Sequence, residues 1–161
     1  MEGSWKIIKG CKFDNMHDCV KLLLKKNYQV SHWIRDIAKQ TKTDFKNIKF
    51  PVVLIRVKVS ELGVKSATTL KTIYNLLEKN NLKLVDPLIA INARFYYDEQ
   101  PKGEWLRFGV PFNSMIDSDG IPHLPKLGRG LGMYFLETYW SYPDAIFHPH
   151  NEFVVQKNSD I

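Results

Sequence analysis

Pro51-Val52-Val53-Leu54-Ile55-Arg56-Val57-Lys58-Val59 is the stretch on which the fold turns. Its first half is an unbroken β-branched and aliphatic run, and its second half alternates apolar with charged residues. That change of texture predicts a strand that enters the interior and emerges at an edge. Downstream, Ser60-Glu61-Leu62-Gly63 ends the strand, and Ser66 or Thr68 can cap a helix in which Leu70, Ile73, Tyr74, Leu76 and Leu77 recur at helical spacing until Asn80-Asn81. With Leu82, Leu84 and Val85 as a second strand, residues 52–85 have the order of one βαβ unit.

Upstream, Asp14 or Asn15 can cap a helix in the segment Asp14–Val30, with Lys21, Lys25 and Lys26 facing outward. Ser31 caps a shorter helix whose apolar side is Trp33, Ile34, Ile37 and Ala38. Residues 40–47 form a loop or a frayed helix end. Beyond Pro87 the texture changes to strands and turns. Ala93–Asp98 and Glu104–Val110 are two aromatic strands joined at Glu99-Gln100-Pro101-Lys102-Gly103, where the proline and glycine suit a hairpin turn. Gly128-Arg129-Gly130 turns the chain into an aromatic strand at Met133–Trp140, and Glu152–Gln156 makes a last one. The expectation is an α+β domain over 1–161: about three N-terminal helices packed on a mostly antiparallel C-terminal sheet.

At 161 residues the chain suits one domain, and 44% hydrophobic with 25% charged residues excludes both disorder and a fibrous chain. The longest aliphatic run, Val52–Ile55, is far short of the roughly 18 apolar residues of a membrane span. No apolar stretch follows Met1–Lys6, so a cytoplasmic location is expected. Cys11 and Cys19 have neither the spacing of a zinc site nor that of a redox pair, which reads as two reduced thiols. No cofactor is expected.

The net charge of +6 conceals a division. Residues 1–85 hold 17 Lys and Arg against 7 Asp and Glu, a balance of +10, whereas residues 86–161 hold 6 against 10. Aromatics run the other way, 7 of 20 in the front and 13 in the back. A basic, helical front can contact a polyanion by releasing its counterions. Equally, it can be a solvated surface, since only Arg35 and Arg56 of its cations are arginine, the residue better shaped for phosphate.

In the predicted hairpin, alternation puts Arg94, Tyr96 and Asp98 on one face of the first strand and Trp105 with Arg107 on one face of the second. If Arg94, Asp98 and Arg107 meet, they form a polar cluster beside rings, able to hold a carboxylate, a phosphate or a base. The bland alternative is a cross-strand ion pair on a wet face. His123, between Pro122 and Pro125, is a candidate acid or base only with Asp98, Glu104 or Glu137 beside it. His148-Pro149-His150 is a weak metal candidate, needing Asp144, Glu152 or His123 as a third ligand. Asp117-Ser118-Asp119-Gly120 begins like a calcium loop, but Gly128 falls where the bidentate Glu is required, so it reads as a turn. The series Tyr134, Leu136, Thr138, Trp140 is either a core stripe or a stacking platform for single-stranded nucleic acid.

The segments Val59–Gly63, Ala67-Thr68-Thr69, Tyr97–Leu106 and Asp117–Gly120 together resemble a family of short, uncharacterised bacterial proteins, over roughly residues 15–156. Its members place Asp directly before Gln-Pro, where this chain inserts Glu99. The resemblance implies no activity.

Two functional classes follow. The preferred one is a non-enzymatic binding protein whose basic side, around Lys21, Lys25, Lys26, Arg35, Lys39 and Lys42 with Arg94 and Arg107, contacts nucleic acid or an acidic protein. The other is an enzyme using Arg94, Asp98, Glu104, Arg107 and His123 on a nucleotide-like or other anionic small molecule. An immunity or antitoxin-type interaction protein is a third possibility. None of these involves a membrane.

Overall fold

In a computed structural model, residues 3–41 and 47–158 are described. The run Val52–Lys58 forms a strand with both faces covered: Leu54 is 0% and Ile55 3% exposed. That is why its apolar residues are contiguous rather than alternating. Counted along the chain, the strands are β1 (Lys6–Ile8), β2 (Gln29–Val30), β3 (Val52–Lys58), β4 (Thr68–Thr69), β5 (Leu82–Lys83), β6 (Trp105–Phe108), β7 (His123–Gly130), β8 (Met133–Trp140), β9 (Ile146–Phe147) and β10 (Glu152–Lys157). The helices are α1 (Met16–Lys25), α2 (His32–Gln40), α3 (Leu70–Lys79) and α4 (Pro87–Asn92).

One large, mostly antiparallel sheet runs in the order β1-β3-β10-β6-β7-β8-β2, with β5 also on β10, and β4 pairs separately with β9. The protein is α+β, but it is dominated by the sheet and not by three N-terminal helices packed on a C-terminal one. The N-terminal half supplies β1 and β3 to the sheet, and the C-terminal β10 lies inside it, antiparallel to β3 and parallel to β6. Phe153, Val154 and Val155 are at most 1% exposed, so β10 can only be stable with layers on both sides.

The strand-helix-strand order at 52–85 is present in split form. Gln156 of β10 pairs with Leu54 of β3 on one edge and with Lys83 of β5 on the other, so β10 separates the two parallel strands.

The helix caps follow side-chain chemistry. The Asn15 side chain accepts from the Asp18 N–H at 2.9 Å, and the Ser31 hydroxyl accepts from the Trp33 N–H at 3.1 Å. Thr69, not Ser66 or Thr68, caps α3 by accepting from the Thr72 N–H. α4 occupies a segment expected to be strands and turns. Asp86 caps it, Pro87 sits at its first position, and every residue is buried. A helix apolar but for its last residue, Asn92, has no polar stripe to betray its period.

The chain then tightens into a 3₁₀ turn at Ala93–Tyr96, so the expected strand Ala93–Asp98 and its hairpin are absent. β6 instead pairs with β7 and β10. The aromatic hairpin is β7–β8, and its turn is Leu131-Gly132, both at positive φ, not Gly128–Gly130.

Register sorts the side chains of β6, β7 and β8 into two faces, because directly opposed residues point the same way. Leu106, Leu127 and Leu136 are opposed and buried on one face. α2 covers that face, with Trp33 against His123 and Trp140. Two rows alternate with these leucines on the reverse face: Trp105, Gly128 and Phe135, then Arg107, Lys126 and Glu137. α3 covers the reverse face farther along the sheet, where Tyr74 and Val155 approach Gly109.

Candidate functional site

The five residues proposed for a hairpin-lined pocket lie in separate surroundings. Arg94 is fully buried and aims inward. Its Nη1 donates to Gln100 Oε1 at 2.8 Å, to the Phe135 carbonyl at 3.1 Å and to the Gly128 carbonyl at 3.2 Å, while Nη2 donates to the Tyr97 carbonyl. The Tyr28 and Tyr134 rings flank it. This guanidinium is committed to backbone carbonyls and ties the 3₁₀ turn to β7 and β8.

Asp98 is exposed and accepts from the Tyr28 hydroxyl at 2.8 Å. Glu104 is joined to the Arg94 network only through Gln100, whose Nε2 donates to it at 3.3 Å, and Tyr97; Arg56 donates to Glu104 at 3.1 Å and to both oxygens of Glu152 at 2.8 Å, and the Tyr97 hydroxyl donates to Glu104 at 2.7 Å. Gln100 Nε2 donates to the Leu127 carbonyl at 3.1 Å, so the Gln-Pro turn serves packing. Its burial was not legible in a sequence where glutamine beside proline suits any exposed turn.

His123 faces the helices. Its Nε2 lies 2.8 Å from Asp117 Oδ2 and its Nδ1 3.0 Å from the Thr138 hydroxyl. A carboxylate can only accept, so Nε2–H donates to it, and in the neutral ring Nδ1 accepts from Thr138. Asp117 also accepts from the Asp119 and Ile121 N–H groups, which makes 117–120 a side-chain-capped turn. Trp33 and Trp140 pack against the imidazole, each 5.3 Å away. Neither Asp98 nor Glu104 nor Glu137 is hydrogen-bonded to it among the described residues.

His148 and His150 are exposed, with stacked rings 5.8 Å apart, and among the described residues no three His, Cys, Asp or Glu gather as a metal site. An open cleft of about 520 Å³ lies beside Cys11, Phe13, Phe50 and Leu88. Burial, reinforced by Asp86, pushes the Cys11 thiol up to about 11, which keeps it protonated at neutral pH.

Lys21 and Lys25 on α1, Lys26 at its C-cap, and Arg35 and Lys39 on α2 are exposed, and none is in an ion pair with a described carboxylate. Lys42 lies outside the described residues. No described helix is long and apolar enough to cross a membrane.

Arg107 is placed differently from the other four. Its guanidinium sits between the Tyr139 ring at 5.2 Å and the Phe147 ring at 5.8 Å, with Nε buried and without a hydrogen-bond partner. Lys126, directly opposite on β7, holds its ammonium 4.7 Å from the Trp105 ring and 5.7 Å from that of Tyr139. Burial, and then the Arg107 charge, lower the Lys126 pKa against the pull of Glu137. Glu137 opposes Lys126 on β8, yet no ion pair joins Glu137 to Lys126 or to Arg107 among the described residues.

Trp105, 42% exposed, lies over Gly128 so closely that a Cβ there would stand 2.3 Å from the ring, and Phe135 follows at 6.0 Å. On β8, Phe135 and Tyr139 share the face of Trp105, both half-buried and Tyr139 packed against the core, while Trp140, 45% exposed, lies on the opposite face. Tyr134 and Trp140, taken as a possible platform, turn instead toward Tyr28 and Trp33. The alternation of Phe135, Glu137 and Tyr139 was visible in the sequence, but nothing there said which of the two registers the helices would cover.

This face combines two adjacent cations that have no carboxylate partner with flat apolar rings, and it can bind an anion chemically. No family model, no curated protein and no solved structure matches the chain.

Proposed function

We propose that this protein is a non-enzymatic binding protein for an anionic partner, and that the partner docks on the β6–β8 face through Arg107 and Lys126. One observation carries the reading: the two cations stand side by side in a partly desolvated aromatic setting, repel one another, and have no ion-paired carboxylate among the described residues. Desolvated like charges are relieved by an incoming anion. The exposed cations Lys21, Lys25, Lys26, Arg35 and Lys39 add long-range attraction, which is screened beyond about 10 Å at 0.1 M salt.

Retention on heparin across a salt series tests this. The protein is expected to bind at low salt and to elute as salt rises. Arg107→Gln and Lys126→Gln should each lower the eluting salt, and Lys21→Gln should lower it less. A larger effect from Lys21→Gln would move the site to the helical face, and no retention of the unaltered protein would end the reading.

A further inference from the structure

We infer that the anionic partner is single-stranded nucleic acid, with a base stacked on the Trp105 indole and its phosphates on Arg107 and Lys126. This rests on the preceding reading of the face. It adds to it the geometry of the ring.

Gly128 is the key to that geometry. Without a Cβ at 128 the indole packs directly on the Gly128 backbone and stays 42% exposed. Phe135, directly across from Gly128 on β8, extends the apolar floor. The next row along the strands is Arg107, Lys126 and Glu137, so the ring and the cations are neighbours on one surface.

A flat, half-exposed aromatic beside an arginine fork suits a base and its phosphate, because every base has a π-face and every nucleotide link an anion. An acidic peptide would use the cations and leave the ring idle. A duplex would hide its π-faces from the ring. The Lys126 ammonium now lies over the indole. On binding, the base displaces it and it moves to the phosphate, exchanging a weak cation–π contact for a charge-assisted one. Glu137 at the end of the cation row repels the backbone there, which directs the strand across β6 and β7 rather than along β8.

Fluorescence anisotropy on the full chain at low salt tests this with five labelled probes: a dT12 single strand, a U12 single strand, a 12-unit phosphodiester chain lacking bases, a 12-base-pair duplex and a poly-glutamate peptide. Both single strands are expected to bind, and the base-free chain, duplex and peptide to bind at least about 10-fold more weakly, as the loss of one stacked base entails. Trp105→Ala should weaken dT12 by about 10-fold or more while leaving the base-free chain unchanged, and Trp105→Phe should keep most of the affinity. Comparing the probes on the unaltered protein needs no variant to fold.

Equal binding of dT12 and the base-free chain would overturn the stacking inference and leave the anion reading standing. Preference for poly-glutamate or the duplex would also overturn it, as would a well-folded Trp105→Ala of undiminished affinity. Absence of binding to every polyanion would end both.

Discussion

Arg94 and Arg107 lie on opposite sides of the same strands. Arg94 has no solvent exposure, its terminal nitrogens donate to one side-chain and three backbone oxygens, and tyrosines close over it. Arg107 has its side chain between rings and a second cation next to it; the Nε of both arginines is buried without a partner. Burial disfavours the charge of both, and only Arg94 is compensated by hydrogen bonds. The lesson is that availability for a ligand is set by which donors the fold has already used, and not by charge or by proximity to aromatics.

The contrast can be broken most forcefully at the arginines themselves. Arg94→Met strands buried carbonyls and the Gln100 amide, so a loss of about 3 kcal/mol or more is expected in urea unfolding. Arg107→Met removes a partly desolvated charge that has no ion-paired carboxylate among the described residues and only ring contacts, and should change stability by less than about 1 kcal/mol, in either direction. Equal destabilisation by the two would mean that Arg107 is structural after all.

A smaller effect, confined to the open face, is expected at Gly128. A methyl there must push the indole off the sheet, costing about 1–3 kcal/mol, and should red-shift the tryptophan emission as the ring enters water. Gly130→Ala meets nothing within 4 Å and serves as the control.

The smallest effect sharpens the helix-covered side. Burial pushes the Asp117 carboxyl up, but the hydrogen bonds from His123 and from the Ile121 and Asp119 N–H groups outweigh it and hold the group below the ordinary carboxylate range. A carboxylate that ionises more readily folded than unfolded adds stability above its unfolded value of about 3.9. That stability is lost as pH falls through the lower folded value. Asp117→Asn should therefore flatten the acid limb of stability against pH measured by thermal unfolding, and an unchanged limb would show that the pair contributes nothing.

Particular residues show how far the sequence could be read. The helices at 16–25, 32–40 and 70–79 were legible because a capping side chain precedes an amphipathic stripe in each. The strand at 52–58 and the strand at 133–140 were legible from β-branched and aromatic runs. α4 was not, since Pro87 followed by Leu-Ile-Ala-Ile looks the same as a buried strand. The 3₁₀ turn after it was hidden for a related reason: Arg-Phe-Tyr-Tyr has strand composition, and the turn is tied down by contacts of Arg94 with carbonyls of distant strands.

At the candidate site, the shared face of Trp105 and Arg107 followed from alternation within one strand. Lys126, Gly128 and Phe135 did not, because they arrive through pairings with β7 and β8.

The sequence by itself determined the α+β class of the molecule, three of its helices and the unequal spread of charge along the chain, because these depend on composition and on neighbours three or four residues apart. Only the tertiary structure decided that β10 would lie inside the sheet, that Arg94 would be enclosed, and that Arg107 and Lys126 would stand together among aromatic rings. Register between distant strands, and the choice of which face the helices cover, are settled by packing across the whole core, and no short-range pattern encodes them.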